Sequence, residues 1–143
     1  MKINFFNILM VLAVILLVAL AFGIVSNILP NFYLSPPTVE LKECQYRDSV
    51  TGEIVTAKKF PENRLVDKAT FSISEVKGAS RYDIYVNGEF CMSTERPEFD
   101  LSDFRDAEVE EYNVKVRAVR EVSEGDPIVS NFSKVIYFNA YAG

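Results

Sequence analysis

The sequence predicts an all-β antiparallel sandwich preceded by one amino-terminal transmembrane helix, and three observations carry that prediction. Residues Ile8 to Leu29 contain no Asp, Glu, Lys or Arg, and Lys2 is the one charge ahead of them. From residue 38 onward the apolar positions recur at every second residue, the period of a strand. Asn87-Gly88 separates two such runs, and both residues of this pair accept the positive φ that a two-residue hairpin turn requires.

The apolar run comes first in the chain. At about 1.5 Å per residue it forms a helix of roughly 33 Å, enough to cross a hydrocarbon core of about 30 Å. Its fifteen Leu, Ile, Val and Phe residues favour insertion by on the order of 6 kcal/mol before polar penalties. Lys2 and Ala19-Leu20-Ala21 supply the basic start and small-x-small site of a signal peptide. A signal core, however, spans about 7 to 15 residues, and this run continues past Ala21 through Leu29. The expectation is an uncleaved anchor over residues 1–29, with secretion after cleavage near Ala21 as the alternative. Lys2 precedes the run and the next base is Lys42, which keeps the amino terminus cytoplasmic and delivers the remainder outside. No cysteine closes the run, so a lipoprotein is not expected.

Residues 30–37 contain Pro30, Pro36 and Pro37 and read as a semi-rigid stalk of about 3.1 Å per residue. Phe32 and Tyr33 within it suit the headgroup level. Residues 38–143 are then one domain with one core.

Composition excludes several functions. Beyond residue 30 lie 14 basic and 20 acidic side chains, a net of −6. Such a surface repels nucleic acid, and no stretch interleaves cations with stacking aromatics. Histidine is absent from the 143 residues, which removes the commonest general base and metal ligand. Cys44 and Cys91 lack the spacing of a redox or metal motif; either they pair in an oxidising compartment or they are small core residues.

Within the domain, Phe71 and Ile73 share one face with Ser72 and Ser74 opposite. Tyr82, Ile84 and Val86 share another, and Tyr112, Val114, Val116 and Ala118 a third, backed by Asn113, Lys115 and Arg117. These are half-buried antiparallel strands. Val50-Thr51-Gly52-Glu53 suits a second hairpin, and no long helical pattern interrupts the series.

Val76 through Gly88, then Phe99-Asp100-Leu101, then Tyr112 through Val119, then Ser130-Asn131-Phe132-Ser133 together resemble a fibronectin type III domain over roughly residues 38–139. The resemblance assigns them to strands C, E, F and the start of G. It implies that Tyr112 is the corner tyrosine, with a buried ring and a hydroxyl bonded back to the backbone. Two departures stand out. Phe71 and Ile73 occupy the B strand where the family usually carries Trp, and the stretch from Leu41 to Asp67 exceeds the usual A to B connection and has room for an extra hairpin.

Candidate sites are few. Asp100, Asp103, Asp106, Glu108, Glu110 and Glu111 form the densest charge, relieved by Arg105, but they lack the glycine and the spacing of a calcium loop. Paired carboxylates need a cleft to hydrolyse a glycoside, and a sandwich of this size offers none. No catalytic residue, cofactor or metal is expected. The candidate binding surface is Tyr85, Asn87, Gly88 and Phe90 around the hairpin, with Asp103, Asp106, Glu108 and Glu110 as an acidic pole suited to a basic partner. Asn131-Phe132-Ser133 also fits an N-glycosylation sequon, at a place where the G-strand pattern already accounts for it. The resulting expectation is a membrane-tethered extracytoplasmic interaction module of a cell envelope, held by residues 8–29 and binding a protein or glycan but no nucleic acid. The alternative is an accessory subunit of a membrane protein complex, held there by its transmembrane helix.

Overall fold

A computed structural model describes residues 4–142, without the side chains of residues 19 and 21–32. The chain divides into two units between Tyr33 and Leu34. The first holds one helix, α1 (Phe5–Phe32). Its described apolar side chains from Phe5 to Val18 are exposed around the whole circumference. Among the described residues no helix is long and apolar enough to cross a membrane. The continuation of the apolar run after residue 20 lies outside the described side chains, as do Ala21 of the expected cleavage site and Pro30 and Phe32 of the expected stalk.

The stalk boundaries need correction. The helix runs to Phe32, two residues past Pro30. Leu34 and Pro37 are both fully buried and belong to the second unit, so the domain begins four residues earlier than the prolines suggest. Leu34 is one of the largest buried side chains. Leu34→Ala is expected to cost about 2–5 kcal/mol in urea unfolding of the domain, and a fragment that starts at residue 38 should lose at least as much.

The second unit is a β-sandwich of two antiparallel sheets. The first has the order β2 (Ile54–Ala57), β1 (Val39–Arg47), β3 (Val66–Ile73), β6 (Glu98–Asp100). The second has the order β5 (Glu89–Thr94), β4 (Arg81–Val86), β7 (Glu111–Arg120), with β8 (Ile128–Val129) and β9 (Ile136–Asn139) both on the free edge of β7. In fibronectin type III terms β1, β3 and β6 stand for A, B and E, while β5, β4, β7 and β8–β9 stand for C′, C, F and G. The strand order is fibronectin type III-like, with β2 as an addition.

That addition is the hairpin for which the long A to B connection has room. Gly52 takes φ 73°, a conformation open to glycine, and the Asp48 carboxylate accepts the Val50 N–H at 2.7 Å. Phe60, beyond β2, returns to the core and stacks on Phe138 with centroids 4.9 Å apart. The excursion is thereby anchored at both ends.

Alternation holds where the sequence shows it. Phe71, Ile84, Val114, Val116 and Ala118 are fully buried between the sheets. Phe71, in the place of the family's tryptophan, contacts Phe99 at 5.0 Å, Phe138 at 5.4 Å, Phe60 at 6.1 Å and Phe104 at 6.3 Å. Tyr112 is buried, its hydroxyl accepts the Asp106 N–H at 3.0 Å and donates to the Asp106 carbonyl at 3.3 Å. The corner tyrosine is thus in place.

Strand G departs from expectation. Ser130 to Ser133 form no strand; residues 130–135 interrupt it between β8 and β9. At the break each serine does the work of a ladder residue. The Ser130 N–H donates to the Ala118 carbonyl while its hydroxyl accepts the Ala118 N–H, and Ser133 repeats this at Val116. Phe132 is free to turn onto the outer face because its neighbour Ser133 holds the edge. The Ser133 hydroxyl that the sequon requires is buried in this role.

One end of the sandwich gathers the Arg47–Gly52 turn, the Asn87-Gly88 turn, the segment from Leu101 to Glu110 and the carboxy terminus. Arg105 donates to the Asp67 carbonyl, Tyr141 N–H to Val66, and Ala140 N–H to Glu110. At the other end Ser80 bonds Val119 and Glu121, and Ile73 bonds Pro97.

Candidate functional site

The outer face of the second sheet is built by register. Tyr82 and Ile84 of β4 and Val114 and Val116 of β7 point inward, which turns Arg81, Asp83, Tyr85, Lys115 and Arg117 outward. Antiparallel pairing sets Asp83 opposite Arg117 and Tyr85 opposite Lys115. On the other side Tyr85 pairs with Phe90 and Asp83 with Ser93, across a bulge that accommodates Cys91. The expected Tyr85–Phe90 pair therefore forms, edge to face with centroids 5.7 Å apart.

Phe132 completes the cluster from the break in strand G. It meets Tyr85 edge to face at 4.9 Å. The Lys115 ammonium lies 4.1 Å from the Phe132 centroid, and the Arg117 guanidinium 5.6 Å from Phe132 and 5.2 Å from Tyr85. Phe90 remains 56% exposed at one side and Tyr137 of β9 74% exposed at the other. The result is a row of aromatic rings interleaved with cations, held by β5, β4 and β7 and by the break in strand G.

Asp83 holds the row in place. It is 4% exposed although it faces outward, because Arg81 at 3.2 Å, Arg117 at 3.6 Å and the Ser93 hydroxyl at 2.7 Å cover it. Arg81 is also paired with Glu121. Asp83→Ala is expected to cost about 1.5–3 kcal/mol in thermal or urea unfolding and to loosen Arg117 from the Tyr85 face; unchanged stability would mean the network contributes nothing.

The other candidate residues are placed elsewhere. Asn87 and Gly88 take φ 51° and 84° in the turn. The Asn87 side chain donates to the Glu111 carbonyl at 3.2 Å and accepts the Asn113 N–H at 2.8 Å. Its amide joins the turn to β7, so Asn87 shapes the fold, and its exposed side chain keeps a second N–H toward solvent. The Asp103 carboxylate accepts the Asp100 N–H at 2.9 Å, and that of Asp106 accepts the Glu108 N–H at 2.9 Å. These two organise the connection between β6 and β7, while Glu108 and Glu110 are exposed. Asp103, Asp106, Glu108 and Glu110 sit at the end of the sandwich and do not join Tyr85 and Phe90 in one site.

Lys115, Arg117 and Phe132 complete the cluster without having been singled out by the sequence. The two cations were legible as outward positions of strand F; their meeting with Tyr85 needed the register of C against F. Phe132 carried no signal, because its direction follows from the interruption of strand G. A shallow depression of about 480 Å³ adjoins this face, lined by Asn87, Asn113, Tyr112 and Tyr137 among others. Among the described residues no group of three His, Cys, Asp or Glu is placed to hold a metal ion.

The cysteines are unpaired. Cys44 is a buried core residue whose thiol donates to the Lys59 carbonyl at 3.4 Å. Cys91 is exposed in the bulge of the opposite sheet. Burial raises the Cys91 thiol pKa, and the Asp103 carboxylate raises it further. Less thiolate forms at neutral pH. Iodoacetamide at pH 7 should therefore modify Cys91 more slowly than a free cysteine, and Cys44 only on unfolding; two fast-reacting thiols in the native chain would contradict this placement.

No protein family and no curated protein matches the sequence. A solved structure, "Structure of FN3tt mut", is similar at 18% sequence identity and a TM-score of 0.40, covering 76% of this chain and 96% of that one. Strand order and register, rather than this distant likeness, define the fold as fibronectin type III-like.

Proposed function

We propose that the chain is a membrane-tethered extracytoplasmic interaction module of a cell envelope, non-enzymatic, which holds a partner on the outer face of the β5–β4–β7 sheet. The observation that carries this reading is the Phe90–Tyr85–Phe132 cluster with Lys115 and Arg117. Half-exposed aromatic and arginine side chains, held rigid by a buried network, are the composition of interface hot spots. A fold does not carry a function by itself; the side chains on this face do. The tether rests on the sequence, in the uncharged apolar run from Ile8 to Leu29.

Co-purification from detergent-solubilised membranes tests the reading. Tyr85→Ser with Phe90→Ser should release the partner, while replacing residues 8–29 with an unrelated membrane helix should leave it bound. Loss of the partner on helix replacement alone would favour the accessory-subunit alternative.

A further inference from the structure

The sheet face that carries the aromatic row is less acidic than the domain as a whole. The chain beyond residue 30 has a net charge of −6. On the outward positions of β4 and β7, Arg81, Lys115 and Arg117 stand against Asp83 and Glu111. Arg81 and Arg117 share the Asp83 carboxylate, and Arg81 also meets Glu121. Lys115 differs from both. Among the described residues it enters no ion pair, and its ammonium rests 4.1 Å from the Phe132 centroid.

The orientation of the rings narrows the chemistry. Lys115 and Arg117 lie over Phe132 and Tyr85, so the cations and the rings are presented together. The rings meet edge to face, at interplanar angles of 72° for Tyr85–Phe90 and 79° for Tyr85–Phe132. Toward a ligand this face offers the Lys115 ammonium and the exposed apolar surface of Phe90. Together they suit a carboxylate next to an apolar side chain.

We propose that this face docks a protein segment in which carboxylates alternate with apolar side chains, an assignment that rests on the interaction-module reading and specifies its partner. The carboxylates contact Lys115 and the apolar side chains pack on Phe90 and Tyr85. A segment of this kind meets attraction at Lys115 and repulsion at the acidic end of the sandwich.

The test uses the full chain in neutral-lipid nanodiscs. Two dye-labelled synthetic peptides alternate leucine with glutamate or leucine with lysine, and binding is read by fluorescence anisotropy. The glutamate peptide should bind at least about tenfold tighter at roughly 0.15 M salt, and weaken as salt rises. Lys115→Glu should abolish or invert that preference, and Phe90→Ser should weaken the glutamate peptide without changing its salt dependence. Equal or tighter binding of the lysine peptide, or an unchanged preference in Lys115→Glu, would overturn the proposal. So would displacement of the glutamate peptide by unlabelled chain in a Lys115-dependent manner, which would make a second copy the occupant. A neutral oligosaccharide that binds in a Phe90-dependent manner where the glutamate peptide does not would overturn it in favour of a glycan. A photo-crosslinker at position 90 separates the two levels of the account. Discrete adducts on native membranes with no glutamate-peptide binding would refute the acidic partner alone, whereas loss of both would refute the interaction face.

Discussion

Phe71→Ala is expected to destabilise the domain by about 3–5 kcal/mol, the cost of removing a fully buried aromatic ring from a core that cannot collapse around the gap. Phe71 is the largest fully buried side chain and touches four other rings. One of them, Phe60, belongs to the stretch that follows the added hairpin, so the loss should also loosen that insertion. Urea unfolding measures the first effect. Amide exchange along residues 54–60 measures the second. A loss below about 1 kcal/mol would place Phe71 at the periphery.

Tyr112 separates ring from hydroxyl. Tyr112→Ala is expected to cost about 3–5 kcal/mol, since the ring stacks on Phe138 at 5.3 Å and meets Phe104 edge to face at 5.8 Å. Tyr112→Phe keeps the ring but leaves the Asp106 N–H without its acceptor, at about 1–2 kcal/mol. Chemical denaturation of both variants gives the partition. If Tyr112→Phe were neutral, the corner hydrogen bond would contribute nothing and the connection from Leu101 to Glu110 would be held by packing alone.

Much of the sandwich was legible because period-two alternation survives in strands that face water on one side. Ile84, Val114 and Val116 are buried where that alternation puts them, and the Asn87-Gly88 turn has positive φ at both residues. The hydroxyl of Tyr112 bonds Asp106 as the resemblance to the corner motif implied. What escaped the sequence is non-local. Leu34 and Pro37 look like linker, since nothing in a Pro-rich stretch reveals that a core awaits it. Strand G looks continuous through Ser130–Ser133, since a serine that replaces a ladder hydrogen bond is indistinguishable from an exposed one. Tyr85 and Phe90 flank the Asn87-Gly88 turn in the sequence; Lys115, Arg117 and Phe132 meet them through the register of strands that are distant in the chain.

Site-specific photo-crosslinking of the full chain on intact cells tests the interaction face most directly. A photoreactive residue at position 90, on the aromatic row, is compared with one at position 43, an exposed position on the opposite sheet. The account predicts discrete adducts from position 90, lost when Tyr85→Ser and Lys115→Glu are introduced, and none from position 43. Equal capture at both positions, or capture at position 43 alone, would contradict it.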